Sequence, residues 1–391
     1  MPEAYILDAV RTAGARRGGA LAGWHPIDLA AETLNALVDR TGIDPALIDD
    51  VIMGCVTQAG EQANHVGRMA VLASKLPGSV PAVTIDRQCG SSQQAVHFAA
   101  QAVMSGTQDV VIAAGVESMT RVPMFSNYSL HKRDGLGAGP MTDRIRERFG
   151  VAEFSQFVGA EMMAQKYGFD RETLDRFALE SHRRASAATG RGDFAREIVG
   201  IEIAGADGSR ATHGHDEGVR GDATLEGIAS VAPLREGGRV TAANASQICD
   251  GASAALIVGE TGLKRLGVAP LARIVNLTVT AGDPVIMLDE PIRATRRALS
   301  RAGLTIEDMD LYEVNEAFAP VPLAWLRELG GDPERLNVNG GAIALGHPLG
   351  ASGTKLLATL VNALRARGKR YGLQAMCEGG GVANVTIVEA L

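Results

Sequence analysis

The last third of this chain repeats the first, and that repeat limits the possible folds more than any other feature. Early on, Val83, Thr84 and Ile85 read as a short buried strand. Cys89-Gly90-Ser91-Ser92 then turns a corner of small residues, and Ala95, Phe98, Ala99, Ala102 and Val103 recur at helical spacing. Val110-Val111-Ile112-Ala113-Ala114 follows as a buried strand. Late in the chain, residues 338–341 lead to Gly346-His347-Pro348-Leu349-Gly350, a helix over 351–365 and a strand over 372–376. Strand, glycine- or serine-rich corner, small-residue helix, basic turn and buried strand thus occur twice. The pattern predicts a duplicated α/β core with mixed sheets. Ligands of such sheets bind at the carboxyl ends of strands, where Cys89, Asn315, His347 and Cys377 fall.

The rest of the chain fits around the two copies. A strand is expected over 4–10, a helix capped by Asp28 and running to about Arg40, a strand over 51–53 and a helix over 66–76. In the second half a helix is expected over 291–303 and a strand over 311–314. Between the halves, residues 121–150 are irregular and charged, helices are expected over 158–167 and 171–189, and 190–240 is polar and glycine-rich. Residues 121–250 therefore read as an inserted loop domain over one face. The first half covers 1–120, completed by 251–268, and the second covers 269–391. At 391 residues the chain exceeds one ordinary core.

Charge and cysteine usage narrow the function. A net charge of −7 argues against a general nucleic-acid binder. No apolar run approaches the roughly 18 residues of a membrane span, and no basic-then-apolar leader precedes the first strand. Four scattered cysteines with no C-x-x-C pair suit reduced thiols in the cytoplasm.

Three motifs carry the chemistry. Cys89 sits where a strand turns into a helix; the helix dipole and amide groups there lower a thiol's pKa. Alone, such a cysteine is more often a packed small residue than a nucleophile. His347 lies between glycines and a proline just before a helix, and Cys377-Glu378-Gly379-Gly380-Gly381 ends a strand. Together, at strand ends of a repeated fold, the three are hard to explain as packing. A metal site from Cys89, His347 and Cys377 is open on ligand type, but no short-spaced ligand pair supports one.

At these residues the chain resembles the thiolase family over essentially its whole length. The match rests on Cys89-Gly90-Ser91-Ser92-Gln93-Gln94-Ala95, Asn315-Glu316-Ala317-Phe318-Ala319, the run 340–353 around His347, and Cys377-Glu378-Gly379-Gly380-Gly381. The resemblance implies a five-layer αβαβα fold, a homodimer or tetramer, and coenzyme A thioesters as substrates. Coenzyme A would serve as co-substrate, with no other cofactor and no metal. Cys89 would be the acylated nucleophile, His347 its base, and Cys377 the second acid and base. Asn315, through a held water, would join His347 around the enolate oxygen. The amides of Cys89 and Gly379 would form a second oxyanion hole. Ser246 and Arg220 match positions near coenzyme A, and Phe318 and Met287 match positions on the acyl pocket wall.

The resemblance implies thiolytic cleavage of 3-oxoacyl-CoA in a β-oxidation role, with acetoacetyl-CoA synthesis as the alternative. Short-chain biosynthetic members carry His-Met-Gly where this chain reads Ser155-Gln156-Phe157. A phenylalanine in place of glycine favours a different acyl chain, of branched or sterol-derived type. Glu378 after Cys377 also resembles the degradative members. A ketoacyl-synthase-like condensing enzyme would place a His where Cys377 stands. A non-catalytic CoA-lipid binder would be free to lose a reacting residue, and none is missing.

Overall fold

The computed structural model describes residues 2–205 and 208–391; Ala206 and Asp207, inside the expected insertion, lie outside the described residues. The first half contains β1 (Ala4–Thr12), α1 (Pro26–Thr41), β2 (Asp50–Gly54), α2 (Val66–Ala73), β3 (Ala82–Ile85), α3 (Ser91–Ser105) and β4 (Val110–Ser118). The helices α4 (Gln156–Lys166) and α5 (Arg171–Arg191) follow, and then β5 (Cys249–Gly259). The second half contains β6 (Ala272–Ala281), α6 (Glu290–Ala302), β7 (Leu311–Val314), α7 (Pro320–Leu329), α8 (Ser352–Ala366), β8 (Tyr371–Glu378) and β9 (Val382–Ala390).

The strand orders β3-β2-β4-β5-β1 and β7-β8-β9-β6 make the repeat explicit. In each half a parallel pair, β2 with β4 or β7 with β8, continues through two antiparallel neighbours. Even the irregularities agree: β1 slips register between Ile6 and Asp8, and β6 between Ile274 and Asn276. Among the described residues the two sheets join where Tyr5 faces Arg273 and Ile6 faces Ala272.

Helices α3 and α8 lie between the sheets. Ala95, Ala99 and Val103 pack with Leu357, Leu360 and Val361 and with Ile6, Ile257, Ile274 and Val388 of the strands. Every residue of α8 from Ser352 to Leu364 is buried, so this helix meets protein on all sides. Each fully buried Leu or Val there contributes about 1.5–3 kcal/mol. Small residues set the spacing: a Cβ on Gly353 would stand 2.0 Å from the Gln93 nitrogen. Helices α1 and α2 cover the outer face of the first sheet. The outer face of the second packs under α4, α6 and α7. The layers run α, β, α, β, α, as expected.

Local boundaries shift for physical reasons. Helix α1 starts at Pro26, whose missing N–H suits a first turn, and His25 caps it by accepting from Ile27 N at 3.2 Å. Asp28 therefore sits inside the first turn and does not cap the helix. Ser155 accepts from Val158 N and starts α4 two residues before the expected position. Helix α2 ends at Ala73, three residues before the expected end, with Ser74 extended. Part of the polar 190–240 stretch pairs as Ile201–Ala204 with Arg210–His213, and Ile198–Val199 adds a parallel pairing to β1.

Candidate active site

Cys89 stands in a strained, tightly tied turn between β3 and α3. Gln88, just before it, has φ of 49°, the left-handed region a non-glycine residue rarely adopts. Ser91 Oγ locks the turn by accepting from Arg87 N at 2.8 Å and donating to Gln88 O at 2.6 Å. The amides of Gly90 and Ser91 are spent on the carbonyls of Arg87 and Gln88. Gly90 has to be glycine: a Cβ there would lie 1.8 Å from Glu378 Oε1.

The expected lowering of the Cys89 pKa does not occur. Burial pushes this thiol well above its ordinary value, and the nearby Cys377 and Glu378 push the same way. Only 7% of Cys89 is exposed, so desolvation outweighs the helix dipole. A thiol held this way needs a base.

His347 is the candidate. It enters from a corner where Gly346 has φ of 79°, and its backbone N–H donates to Gln247 O at 3.1 Å. Its Nδ1 lies 2.5 Å from Ser352 Oγ, which in turn lies 2.9 Å from Pro348 O. The carbonyl can only accept. Both contacts are satisfied together only if the hydroxyl gives its proton to Pro348 and takes the Nδ1 proton. Nε2 then carries a lone pair, and Asn315 Nδ2 donates toward it at 3.3 Å. Burial and the Lys355 ammonium lower the His347 pKa to about 3, so the ring is neutral near pH 7.

Asn315 is the first residue past β7 and donates its N–H to Ala375 O at 3.0 Å. Its Oδ1 is buried without a protein partner, an acceptor free for a water or a substrate group. Next to it, the Glu316 carboxylate accepts from Ser181 Oγ, Asn337 Nδ2 and Ile343 N, tying β7 to α5 and to the chain leading to His347.

Cys377 lies one residue before the end of β8 and is 1% exposed. Burial, then Glu378, pushes its thiol up to about 12. In the glycine run it is Gly380 and Gly381 that take positive φ, and Gly381 packs on the backbone of Asp283.

A cavity of about 530 Å³ opens over this centre, with Cys89, Gly379, Met287 and Phe157 in its wall. Met124, Phe125 and Tyr128 from the chain between β4 and α4, with Leu349, make that wall largely apolar. Phe318 stands behind it, edge-on to Phe157 at 5.8 Å. Cys89, Gly379 and Met287 thus meet on one surface. His347 and Asn315 meet through their hydrogen bond, and Leu349, two residues past His347, packs in one small cluster with Cys89 and Met376. Ser246 and Arg220 do not line the cavity. Ser246 is half-buried and its N–H donates to Ala317 O; Arg220 is exposed beside His182. Among the described residues no cluster of His, Cys, Asp or Glu could hold a metal ion, and no helix is long and apolar enough to cross a membrane.

Two residues escaped the sequence reading. Ser352 sits in the quoted motif, but its bond to His347 needed the three-dimensional turn. Glu117, near the end of β4, accepts from Val56 N, Thr57 N, Gly350 N and Gln62 Nε2, joining the cavity wall to the His347 corner. The repeat could have found it, since it occupies the position in β4 that Cys377 occupies in β8.

Comparison with known proteins agrees with this geometry. Residues 4–261 match the thiolase N-terminal domain and residues 268–390 the thiolase C-terminal domain. The chain is 52% identical to the steroid 3-ketoacyl-CoA thiolase FadA6 of Mycobacterium tuberculosis, over all of this chain and 95% of that one. It is 41% identical to the 3-ketoacyl-CoA thiolase of Pseudoalteromonas translucida, over all of this chain and 99% of the relative. The crystal structure of the Bacillus anthracis acetyl-CoA acetyltransferase superposes with a TM-score of 0.91 at 37% identity, covering 100% of this chain and 99% of that one. The chain belongs to the thiolase family.

Proposed function

We propose that the protein cleaves 3-oxoacyl-CoA with coenzyme A, giving acetyl-CoA and an acyl-CoA two carbons shorter, in β-oxidation. The observation that carries this reading is the neutral His347, its Nε2 lone pair fixed by Ser352 within a centre that also holds two buried thiols. His347 takes the Cys89 proton as sulfur attacks the 3-keto carbon. The amides of Cys89 and Gly379 receive the oxyanion. When the C2–C3 bond breaks, the electron pair moves onto the acetyl-CoA enolate, whose oxygen meets His347 and an Asn315-held water. Cys377 gives its proton to the enolate carbon, which releases acetyl-CoA. The Cys377 thiolate next takes the proton of the incoming coenzyme A, whose sulfur displaces Cys89 from the thioester. As the thioester collapses, His347 returns its proton to the departing Cys89 sulfur, so both residues are restored and coenzyme A is the one co-substrate this sequence of steps needs.

Several features support a bulky acyl group. Phe157 occupies the cavity wall against Phe318, and Met287 lies on the same wall. The relative named as a steroid 3-ketoacyl-CoA thiolase supports a ring-bearing, sterol-derived substrate. Ser246 and Arg220 are proposed to meet the pantetheine and nucleotide of coenzyme A. The exposed Val83 on the edge strand β3 and Phe98 on the neighbouring α3 support self-association through this edge. The two thiolase halves, the inserted loop domain and a cytoplasmic site of action belong to the same reading.

The test is a panel of 3-oxoacyl-CoAs under thiolysis, with the Cys89 adduct trapped and weighed. Long or ring-bearing chains should outrun acetoacetyl-CoA, and Cys89→Ala should give neither turnover nor adduct. A preference for the four-carbon substrate would remove the bulky-acyl assignment; near-normal activity of Cys89→Ala would remove the nucleophile.

A further inference from the structure

The mechanism leaves the buried ammonium of Lys355 unused. Lys355 is 3% exposed and lies one helical turn past Ser352 on α8. Its Nζ donates to Leu345 O at 2.5 Å and to Gly346 O at 3.0 Å, the two carbonyls immediately before His347. The third direction of the ammonium faces Asp216, 4.0 Å away. Asp216 is itself pinned by Arg11 at 2.8 and 3.0 Å and by Gly14 N at 2.7 Å. Arg11 is held in turn by Glu197 at 2.6 Å.

Such a network is a poor source of stability, since desolvating these charges costs about as much as their attraction returns. What the arrangement does achieve is geometric. Helix α8 grips the His347 corner at two points, Ser352 on the ring and Lys355 on the backbone before it. Gly346 cannot fill the space by other means, because a Cβ there would stand 2.5 Å from Cys249 Sγ.

We infer that Lys355 is a positioning residue for His347, clamping the Leu345 and Gly346 carbonyls so that the imidazole presents Nε2 to the reacting thiol. The inference rests on the proposed role of His347 as base. Its second effect is electrostatic. The charged or titratable groups around Lys355 are Asp216 and Glu197 from the insertion, Arg11 from β1 and Cys249 from β5. The hydrogen-bond partners of the His347 ring, Asn315 and Ser352, are neutral, so the Lys355 charge stands as the cation that disfavours imidazolium. Removing it raises the His347 pKa, so the acidic limb of the rate profile moves to higher pH.

The test uses Lys355→Met and the double variant Lys355→Met/Asp216→Asn, which leaves no orphaned carboxylate if the single variant folds poorly. Both should acylate Cys89 about 10- to 100-fold more slowly in a single turnover, the scale of a misplacement near 1 Å. Their KM for substrate should stay close to wild type, and their acidic limb should lie at higher pH. A double variant with wild-type rate and profile would overturn the inference, because the clamp would then be dispensable. A wild-type enzyme that forms no Cys89 adduct would instead overturn the proposed chemistry, so the two failures are distinguishable.

Discussion

Replacing Ser352 by Ala tests the tautomer on which the chemistry depends. In the folded protein Ser352 Oγ is 2.5 Å from His347 Nδ1 and passes its own proton to Pro348 O at 2.9 Å. Without the hydroxyl, the Nδ1 proton faces a buried site with no acceptor. An unsatisfied buried donor costs about 1–3 kcal/mol. The ring avoids that cost by carrying its proton on Nε2 instead, where Asn315 can turn its unpartnered Oδ1 to accept it. At RT near 0.6 kcal/mol, a penalty of about 1–3 kcal/mol shifts the tautomer ratio by roughly 5- to 150-fold. Nε2 then has no lone pair for the Cys89 proton. The acylation rate of Cys89 should therefore fall by roughly the same factor while substrate binding changes little. Rapid-quench mass spectrometry of the Cys89 adduct gives the rate, and ¹⁵N chemical shifts of the ring give the tautomer. A variant within twofold of wild type, with Nε2 still unprotonated, would refute the assignment of donor and acceptor along this chain.

Three further outcomes follow from the same geometry. Cys377→Ala should still form the Cys89 adduct from an acyl-CoA but lose exchange of the acetyl methyl protons; wild-type exchange would remove Cys377 from the proton transfer. Because burial and Glu378 push the Cys377 thiol up to about 12, its thiolate fraction, and with it that exchange, should rise about tenfold per pH unit between about pH 7 and 9. A plateau below pH 9 would mean that the thiol titrates near its ordinary value. Gly90→Ala drives a methyl to 1.8 Å from Glu378 Oε1, so the melting temperature should drop by an amount matching about 1–3 kcal/mol of overpacking. Adding Glu378→Ala should return most of it, and a single variant as stable as wild type would show that the contact is relieved at no cost.

The repeat was legible because each half writes its helices and strands in residue pattern alone. Strand β4 and helix α3 are read from Val110 to Ala114 and from Ala95 to Val103 without any tertiary information. The corners were legible because Gly346, His347 and Pro348 together suit few ordinary helix starts. What stayed hidden depended on depth and on long-range partners. The sequence points to a lowered Cys89 pKa because a helix terminus is visible in sequence and desolvation is not; burial wins, and Cys377 and Glu378 beside the thiol push the same way. Nothing in the local sequence marks Lys355 or Glu117 as buried, although the first holds carbonyls on its own helix's approach and the second joins residues 61 and 233 positions distant. Asp28 reads as a cap because Asp is a common capping residue, and the structure uses the imidazole of His25 instead.

The duplication also explains why chemistry concentrates on one side of the pseudo-symmetry. Gly54 faces Gly115 in the first half, and Val314 faces Ala375 in the second. One residue past Gly54 and Val314 lie Cys55 and Asn315; two residues past Gly115 and Ala375, still within the second strand of each pair, lie Glu117 and Cys377. Both first-half residues are consumed by structure. Cys55 is wholly buried, and its thiol is pushed well above its ordinary value by burial and by Glu117. Glu117 has four donors on its carboxylate, so no capacity remains for a substrate. Their second-half counterparts keep an unpartnered Oδ1 and a thiol with no carboxylate anchor. The first half contributes its other corner, Cys89, and the packing of α3 on α8 brings that corner to His347: Ser92 Oγ accepts from Thr354 N at 3.0 Å, each three or more residues past its corner's start. The corners that carry Cys89 and His347, the proposed nucleophile and base, are thus tied together by the same helix pair that forms the middle of the core. A substitution that loosens that pair, such as a larger residue at Gly353, should therefore reduce activity before it unfolds the protein.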